Sequence, residues 1–265
     1  MLIALDVGNT NVTFGIVVGR DVTFVDRAAT PSADHSYQLE VIVDEALGHA
    51  PIGTVGRHGL VVASVVPAVS HALRELAERR DIALLVADET TIPLPIRVDD
   101  PAGVGDDRLV NAFAATRLYG APAIVVDLGT ATTFDVVDAD GAFVGGAIAP
   151  GVGLGLEALA SRTAQLPRVP VALPPRAIGT DTVAALQSGS VLGYIGLVTH
   201  LLRAISDELA SDGGTPPRVI LTGGLAAHQW ATAIPGVDAI DPLLTLRGLA
   251  ILHAELARTG SAAPA

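Results

Sequence analysis

The sequence predicts an α/β fold built from two related domains, and three observations carry that expectation. An acidic, glycine-containing turn between two apolar runs occurs at Leu2 to Val17 and again 121 positions later at Ala123 to Val137. Around these hairpins, short β-branched runs alternate with stretches of helical spacing. At 265 residues the chain is long enough for two domains with their own cores. The expected division is residues 1–119, 120–258 and a tail at 259–265, with the junction at Gly120 to Pro122.

Leu2 to Leu5 reads as a strand, Asp6, Gly8, Asn9, Thr10 and Asn11 as turn chemistry, and Val12 to Val18 as a second strand. A glycine there lets backbone N–H groups approach a ligand, while Thr10, Asn11 and Thr13 offer donors, a combination suited to phosphate oxygens. Asp6 would repel phosphate unless a cation lay between them, so the turn implies phosphate plus metal. Plain hairpins carry such turns too, which is why the repeat matters. Aligned without gaps, Asp127 falls on Asp6, Gly129 on Gly8, Thr130 on Asn9 and Thr132 on Asn11, whereas Phe134 falls on Thr13, one short of Phe14. If the halves faced each other, the two turns would hold one polyphosphate from opposite sides.

After the first hairpin, Val22 to Arg27 reads as a third strand and Tyr37 to Leu47 as a helix, followed by a buried strand at Leu60 to Val66. A helix at Val69 to Arg79 and a strand at Ile82 to Val86 complete this half. Thr90 to Gly105, rich in Pro and Asp, reads as a loop, and Asp106 or Asp107 opens a helix with acid at its positive end. The second half repeats the three-strand opening from Ala123 to about Ala149. A helix from Gly151, a largely helical stretch from Thr180 to Ser206, a strand at Arg218 to Leu221 and a last helix at Thr245 to Ala257 follow.

Composition excludes several functions. Sixteen Arg and no Lys face 28 acidic residues, giving a net charge of −12, so nucleic-acid binding has no electrostatic footprint. Without Lys there is no Walker A loop, no Schiff base and no protein-kinase phosphate clamp. Without Cys there is no disulfide, thiol nucleophile or Cys-ligated zinc. The uncharged run Thr182 to Leu202 is long enough to span a bilayer, but its Thr, Gln, Ser and His residues fit a buried helix better, and no membrane association is expected. The chain enters a strand at once, with no secretory signal, so a cytoplasmic protein is expected.

Gly105-Asp106-Asp107-Arg108 has the residues for phosphoryl transfer to an alcohol: a carboxylate to take the hydroxyl proton and an Arg to hold a carboxylate bidentately. From spacing alone, Asp106 and Asp107 read first as helix caps. Gly153-Leu154-Gly155-Leu156-Glu157-Ala158 nominally matches a dinucleotide fingerprint but lacks the strand before it, and these glycines, with Gly145, Gly146 and Gly151, read as places where backbone approaches a ligand. Thr222-Gly223-Gly224, between an expected strand and an expected helix, could present N–H groups to a phosphate or adenosine.

Together, D-V-G-N-T-N at Asp6 to Asn11 and D-L-G-T-A-T-T at Asp127 to Thr133 resemble the two phosphate motifs of the actin, Hsp70 and sugar-kinase superfamily, in the form found in type III pantothenate kinases. S-V-V-P at Ser64 to Pro67, G-D-D-R at Gly105 to Arg108, G-G-A-I-A-P-G at Gly145 to Gly151, T-G-G-L at Thr222 to Leu225 and D-P-L-L-T-L-R-G-L at Asp241 to Leu249 are similar to that family in order. The resemblance implies duplicated ribonuclease-H-like domains, each a mixed five-stranded sheet with flanking helices. It implies ATP-dependent phosphorylation of pantothenate to 4'-phosphopantothenate, at the start of coenzyme A synthesis, with Mg²⁺ and a monovalent cation, K⁺ or NH₄⁺, and a homodimer through the second half. The alternatives are another small-molecule kinase of the superfamily and a catalytically silent regulatory relative.

Carried over residue by residue, the catalytic Asp is Asp107, and Gly105, Asp106, Arg108 and Thr182 bind the acceptor. Asp6, Val7, Gly8, Asn9, Thr10, Asn11, Val12, Thr13, Gly129, Thr130, Gly223 and Gly224 contact ATP. Asp127 holds the monovalent cation and Asp6 holds Mg²⁺ through water. Two positions depart from the family pattern: Asp106 stands where a small residue is common, and Val98 where many members have an aromatic.

Overall fold

The computed structural model describes residues 1–19, 21–32, 37–49, 59–210 and 215–259. The expected tail lies outside the described residues except for Thr259, which ends the last helix. Two compact units result, one of Met1–Leu118 together with that last helix, the other of Tyr119–Pro242.

In the first unit, β1 (Leu2–Val7), β2 (Asn11–Val18) and β3 (Asp21–Ala29) form an antiparallel meander. Helix α1 (Tyr37–Gly48) leads to β4 (Gly59–Ser64), parallel to β1, and α2 (Pro67–Arg80) leads to β5 (Ala83–Val86), parallel to β4. The sheet order is β3-β2-β1-β4-β5. Alternation along β1 sends Ile3, Leu5 and Val7 into one core with Leu39 and Val43 of α1 and Leu73 and Leu76 of α2. Pro67 starts α2, where its missing N–H costs nothing, and Asp81 stops it in the left-handed region at φ 51°. Arg79 and Arg80 of α2 pair with Glu40 and Asp44 of α1.

Helices α3 (Asp106–Leu118) and, at the end of the chain, α7 (Leu244–Thr259) pack on one another. Gly248 lets them approach closely, since a Cβ there would lie 2.8 Å from Val110 Cγ1 and 3.0 Å from the Val110 carbonyl oxygen. Beside that crossing the buried Thr245 hydroxyl donates to Asn111 Oδ1 at 2.8 Å, and Arg117 pairs with Glu255 at 3.1 Å. The sequence-based division assigned this closing helix to the second domain. Instead it returns to the first, where Leu246 reaches the side of Gly15 and α7 packs along β1, β2, β3 and β4.

The second unit repeats the plan. β6 (Ala123–Leu128), β7 (Ala131–Val137) and β8 (Phe143–Pro150) form the meander, followed by α4 (Val152–Arg162), α5 (Thr182–Gln187), a π-helical turn at Ser188–Leu192, and α6 (Gly193–Ala210). β9 (Arg218–Thr222) pairs parallel to β6, and a two-residue β10 (Ala239–Ile240) completes the order β10-β9-β6-β7-β8. Sequence patterning missed β10 and the 3₁₀ turn at Gln229–Ala233, both too short to show a period. No helix follows Thr222-Gly223-Gly224 directly either; the chain there makes turns before the 3₁₀ segment.

The uncharged run from Thr182 to Leu202 was expected to be a buried helix, and it lies in the segment Thr182–Ala210. It is the one helix among the described residues long and apolar enough to cross a bilayer, yet only one stripe of it enters the core: Ser188, Val191, Tyr194, Val198 and Leu202. Val183 and Leu197 remain exposed.

Candidate active site

The turn after β1 is closed by Gly8, whose N–H donates to the Asn11 carbonyl at 3.0 Å. Thr30, just past β3, braces it from outside: its N–H donates to the Thr10 carbonyl at 3.0 Å and its hydroxyl to the Gly8 carbonyl at 2.6 Å. Asn9 and Thr10 are exposed and Asp6, Asn11 and Thr13 half-buried, but Val7 and Val12 are core residues, able to meet a ligand only through their backbone. Beyond β4, the Val65 N–H donates to the Val7 carbonyl at 3.1 Å, tying Ser64-Val65-Val66-Pro67 to the turn.

That contact reaches the acidic start of α3. A Cβ on Gly105 would lie 2.8 Å from Asp107 Oδ1 and 3.2 Å from Val65 Cγ1, so a larger residue there would push the Asp107 carboxylate from its place beside Val65. Asp107 Oδ1 also accepts from the Arg108 N–H at 2.8 Å. Burial raises the Asp107 carboxyl above the ordinary carboxylate range, opposed by the Arg108 N–H and guanidinium. Asp106 is pushed up to about 6, chiefly by burial and the Asp88 charge, against the Ser64 backbone N–H that favours its ionised form. Asp88 stays low despite its own burial because Thr90 and Thr91 hydrogen-bond its carboxylate. Two neighbouring carboxyls of raised basicity beside a phosphate-type turn are an arrangement able to accept a proton from an alcohol.

In the second unit the turn is Gly129-Thr130, one residue shorter than the first. Gly129 N–H donates to the Ala131 carbonyl at 3.1 Å, and Gly151, just past β8, donates to the Thr130 carbonyl at 3.0 Å. A Cβ on Gly151 would lie 2.4 Å from the carbonyl oxygens of Gly129 and Thr130. The backbone Gly151 accommodates is therefore the turn itself, where a ligand was expected. The shorter turn also corrects the ungapped alignment: Asp6 pairs with Thr13 and Asp127 with Thr133, Leu5 with Phe14 and Val126 with Phe134. Before the turn the offset is 121; after it, 120, so Thr132 corresponds to Val12 and not to Asn11. The β-bulges at Ile16/Val17 and Val136/Val137 keep the same offset.

Asp127, Gly129 and Gly223 come together. A Cβ on Gly129 would be 3.4 Å from Asp127 Oδ1, and one on Gly223, at φ +90°, would be 2.2 Å from that oxygen and 2.7 Å from Leu128 N. Leu225 N–H donates to the Leu128 carbonyl at 3.1 Å, as Val65 does to Val7 in the first unit. Gly224 is exposed on the same turn. Thr182 lies apart from this group, lining a cleft of about 670 Å³ with Leu159, Leu166, Asp181, Leu186 and Ser190. Sequence reasoning missed Thr30 and the buried bond between Thr132 and Tyr194.

The family model for type III pantothenate kinase matches residues 2–204. The type III pantothenate kinase of Thermomicrobium roseum is 43% identical over 264 residues, covering 98% of this chain and 99% of its own. The chain belongs to the type III pantothenate kinase family. Two solved structures show the same fold: a conserved Baf family protein from Campylobacter jejuni, at TM-score 0.60 and 19% identity over 97% of this chain and 99% of that one, and MreB5 of Spiroplasma citri, at TM-score 0.53 and 13% identity over 97% of both. The chain thus has duplicated actin-like domains, each with a mixed five-stranded sheet. Among its described residues no three acidic or His side chains gather as a metal cage. Single carboxylates such as Asp6 fit Mg²⁺ as it is commonly held, through water and substrate phosphates. The Asp127 carboxylate, beside Gly129 and Gly223, is an oxygen donor of the kind that suits a hard cation.

Proposed function

We propose that this chain transfers the γ-phosphoryl group of ATP to pantothenate, giving 4'-phosphopantothenate, the first step of coenzyme A biosynthesis. Family membership over nearly the whole chain supports this most strongly. Asp107, held beside Gly105 and raised in basicity, accepts the hydroxyl proton as the new O–P bond forms. Arg108, Gly105 and Asp106 contact the acceptor, with Thr182 in its cleft of the second unit. Backbone N–H groups of the Asp6 to Thr13 turn, the Gly129-Thr130 turn and Gly223-Gly224 take the ATP phosphates, and Asp6 orders Mg²⁺ through water. When bound, Mg²⁺ neutralises charge on the transferring phosphates. Incubating the purified protein with MgATP and pantothenate and following the product by mass spectrometry tests this reading; the absence of a phosphopantothenate mass contradicts it.

Asp127 holds K⁺ or NH₄⁺. Its carboxylate lies beside a phosphate turn, where negative charge is tolerable only near a counter-ion. Turnover should require K⁺ or NH₄⁺, and equal rates in a bulky organic cation buffer would contradict the assignment. The working form is a homodimer through the second unit, because α6 leaves Leu197 and, with α5, Val183 exposed beside Gly189, Gly193 and Gly196, where added Cβ atoms would meet nothing within 4 Å among the described residues. Sedimentation should show a dimer; a fully active monomer at micromolar concentration would overturn it.

A further inference from the structure

We propose that Tyr194 is a positioning residue for the second phosphate turn, acting through Thr132, an inference that rests on the assignment of that turn to ATP. Thr132 stands directly opposite Leu128 in the β6–β7 pairing, so it flanks the Gly129-Thr130 turn, and it is fully buried at 0% exposure. Its hydroxyl meets the Tyr194 hydroxyl at 2.5 Å. Tyr194 is itself buried in the apolar cluster of Leu128, Val191, Val198 and Trp230. In such surroundings each hydroxyl depends on the other, because a buried polar group without a partner is costly.

The helix is shaped to deliver this contact. The π-helical turn at Ser188–Leu192 inserts wider winding just before Tyr194, and the buried residues within it and after it, Ser188, Val191, Tyr194 and Val198, follow one another at intervals of three, three and four. Upstream of that turn, α5 begins at Thr182, the acceptor residue of the proposed function. Burial, and to a lesser degree the Asp127 charge, raises the Tyr194 hydroxyl's pKa against the Thr132 hydrogen bond, which places Asp127 within electrostatic reach. The hydroxyl pair therefore ties the acceptor-bearing helix to the strand end carrying Asp127 and Thr130. A pair that served only packing would change stability without changing nucleotide affinity.

The test compares Tyr194→Phe, Thr132→Val, Thr132→Ser and the Phe/Val double variant with the intact protein. Phenylalanine retains the ring that stands edge-on to Trp230 at 5.5 Å, and Trp230, as the single Trp, reports the packing by fluorescence. MgATP affinity by calorimetry, KM for ATP, kcat and Tm are measured for each. Tyr194→Phe and Thr132→Val should each weaken MgATP binding and raise KM by about 5-fold or more with kcat changed by less than about 3-fold. The double variant should be no worse than either single one, and Thr132→Ser should bind as the intact protein does. Unchanged MgATP affinity in Tyr194→Phe, with or without a lower Tm, would overturn the proposal, as would additive losses in the double variant. Should Tyr194→Phe not fold, the Thr132→Val and Thr132→Ser pair decides alone: loss in the first with retention in the second supports the tie, and equal affinities refute it. Calorimetry separates this outcome from the functional reading, since a protein that binds MgATP but leaves pantothenate unphosphorylated fails only the latter.

Discussion

Asp107→Asn should lower kcat by at least about 100-fold while leaving the MgATP dissociation constant within about threefold. Asparagine keeps the shape of the side chain and an oxygen to accept from the Arg108 N–H, now 2.8 Å from Asp107 Oδ1, so the start of α3 should persist. What it loses is the capacity to take a proton. Asp106→Asn is the control, because Asp106 is a second half-buried carboxyl with a pKa of about 6. If that variant loses turnover and Asp107→Asn does not, Asp106 is the base. The pH profile carries the same logic with a definite sign. Burial raises the Asp107 carboxyl, so the ionised, proton-accepting form is lost as pH falls through a value above the ordinary ~3.9 of a free Asp. The acid limb of the intact enzyme's profile should lie above that value.

The second large effect is expected at Gly223. In Gly223→Ala the new Cβ would fall 2.2 Å from Asp127 Oδ1 and 2.7 Å from Leu128 N, at a backbone φ of +90° that side chains rarely adopt. Neither Leu128 backbone nor the φ can yield cheaply, so the Asp127 carboxylate and the turn beside it must move. Left-handed strain alone costs about 1–3 kcal/mol, and displacement of Asp127 adds to it. kcat/KM should drop by about 100-fold or more, with weaker MgATP binding by calorimetry. Gly48→Ala, at the exposed end of α1, is the control: its Cβ would meet nothing within 4 Å among the described residues, so activity should stay near the starting level. Full activity in Gly223→Ala would remove Asp127 and Gly223 from the site.

Much of this was legible in the sequence because the duplicated turn declares itself. Asp6-Val7-Gly8 and Asp127-Leu128-Gly129 are both preceded by β-branched or apolar strands, and the three-strand meanders follow as expected. The one-residue difference between the turns showed in the sequence as Phe134 falling one short of Phe14, but only the pairing of these residues with Leu5 and Val126 places the slip in the turn. Gly151 was legible as a close approach, but what it approaches depended on β8 returning to Thr130, a contact no local pattern encodes. The return of α7 to the first unit was invisible for the same reason: its apolar stripe says that it is half-buried, not against which sheet. The tie between Thr132 and Tyr194 was invisible as well, because periodicity records burial and not the partner of a hydroxyl.

The central claim is that pantothenate is the acceptor, and the most direct test is ADP release measured with a panel of alcohols at saturating MgATP in K⁺ buffer. Pantothenate should support turnover that depends on its concentration and disappears in Asp107→Asn, while hexoses, glycerol and N-acetylmannosamine give only the background rate of ATP hydrolysis. A sugar accepted with higher kcat/KM than pantothenate, or ADP release that is independent of every acceptor, would contradict it.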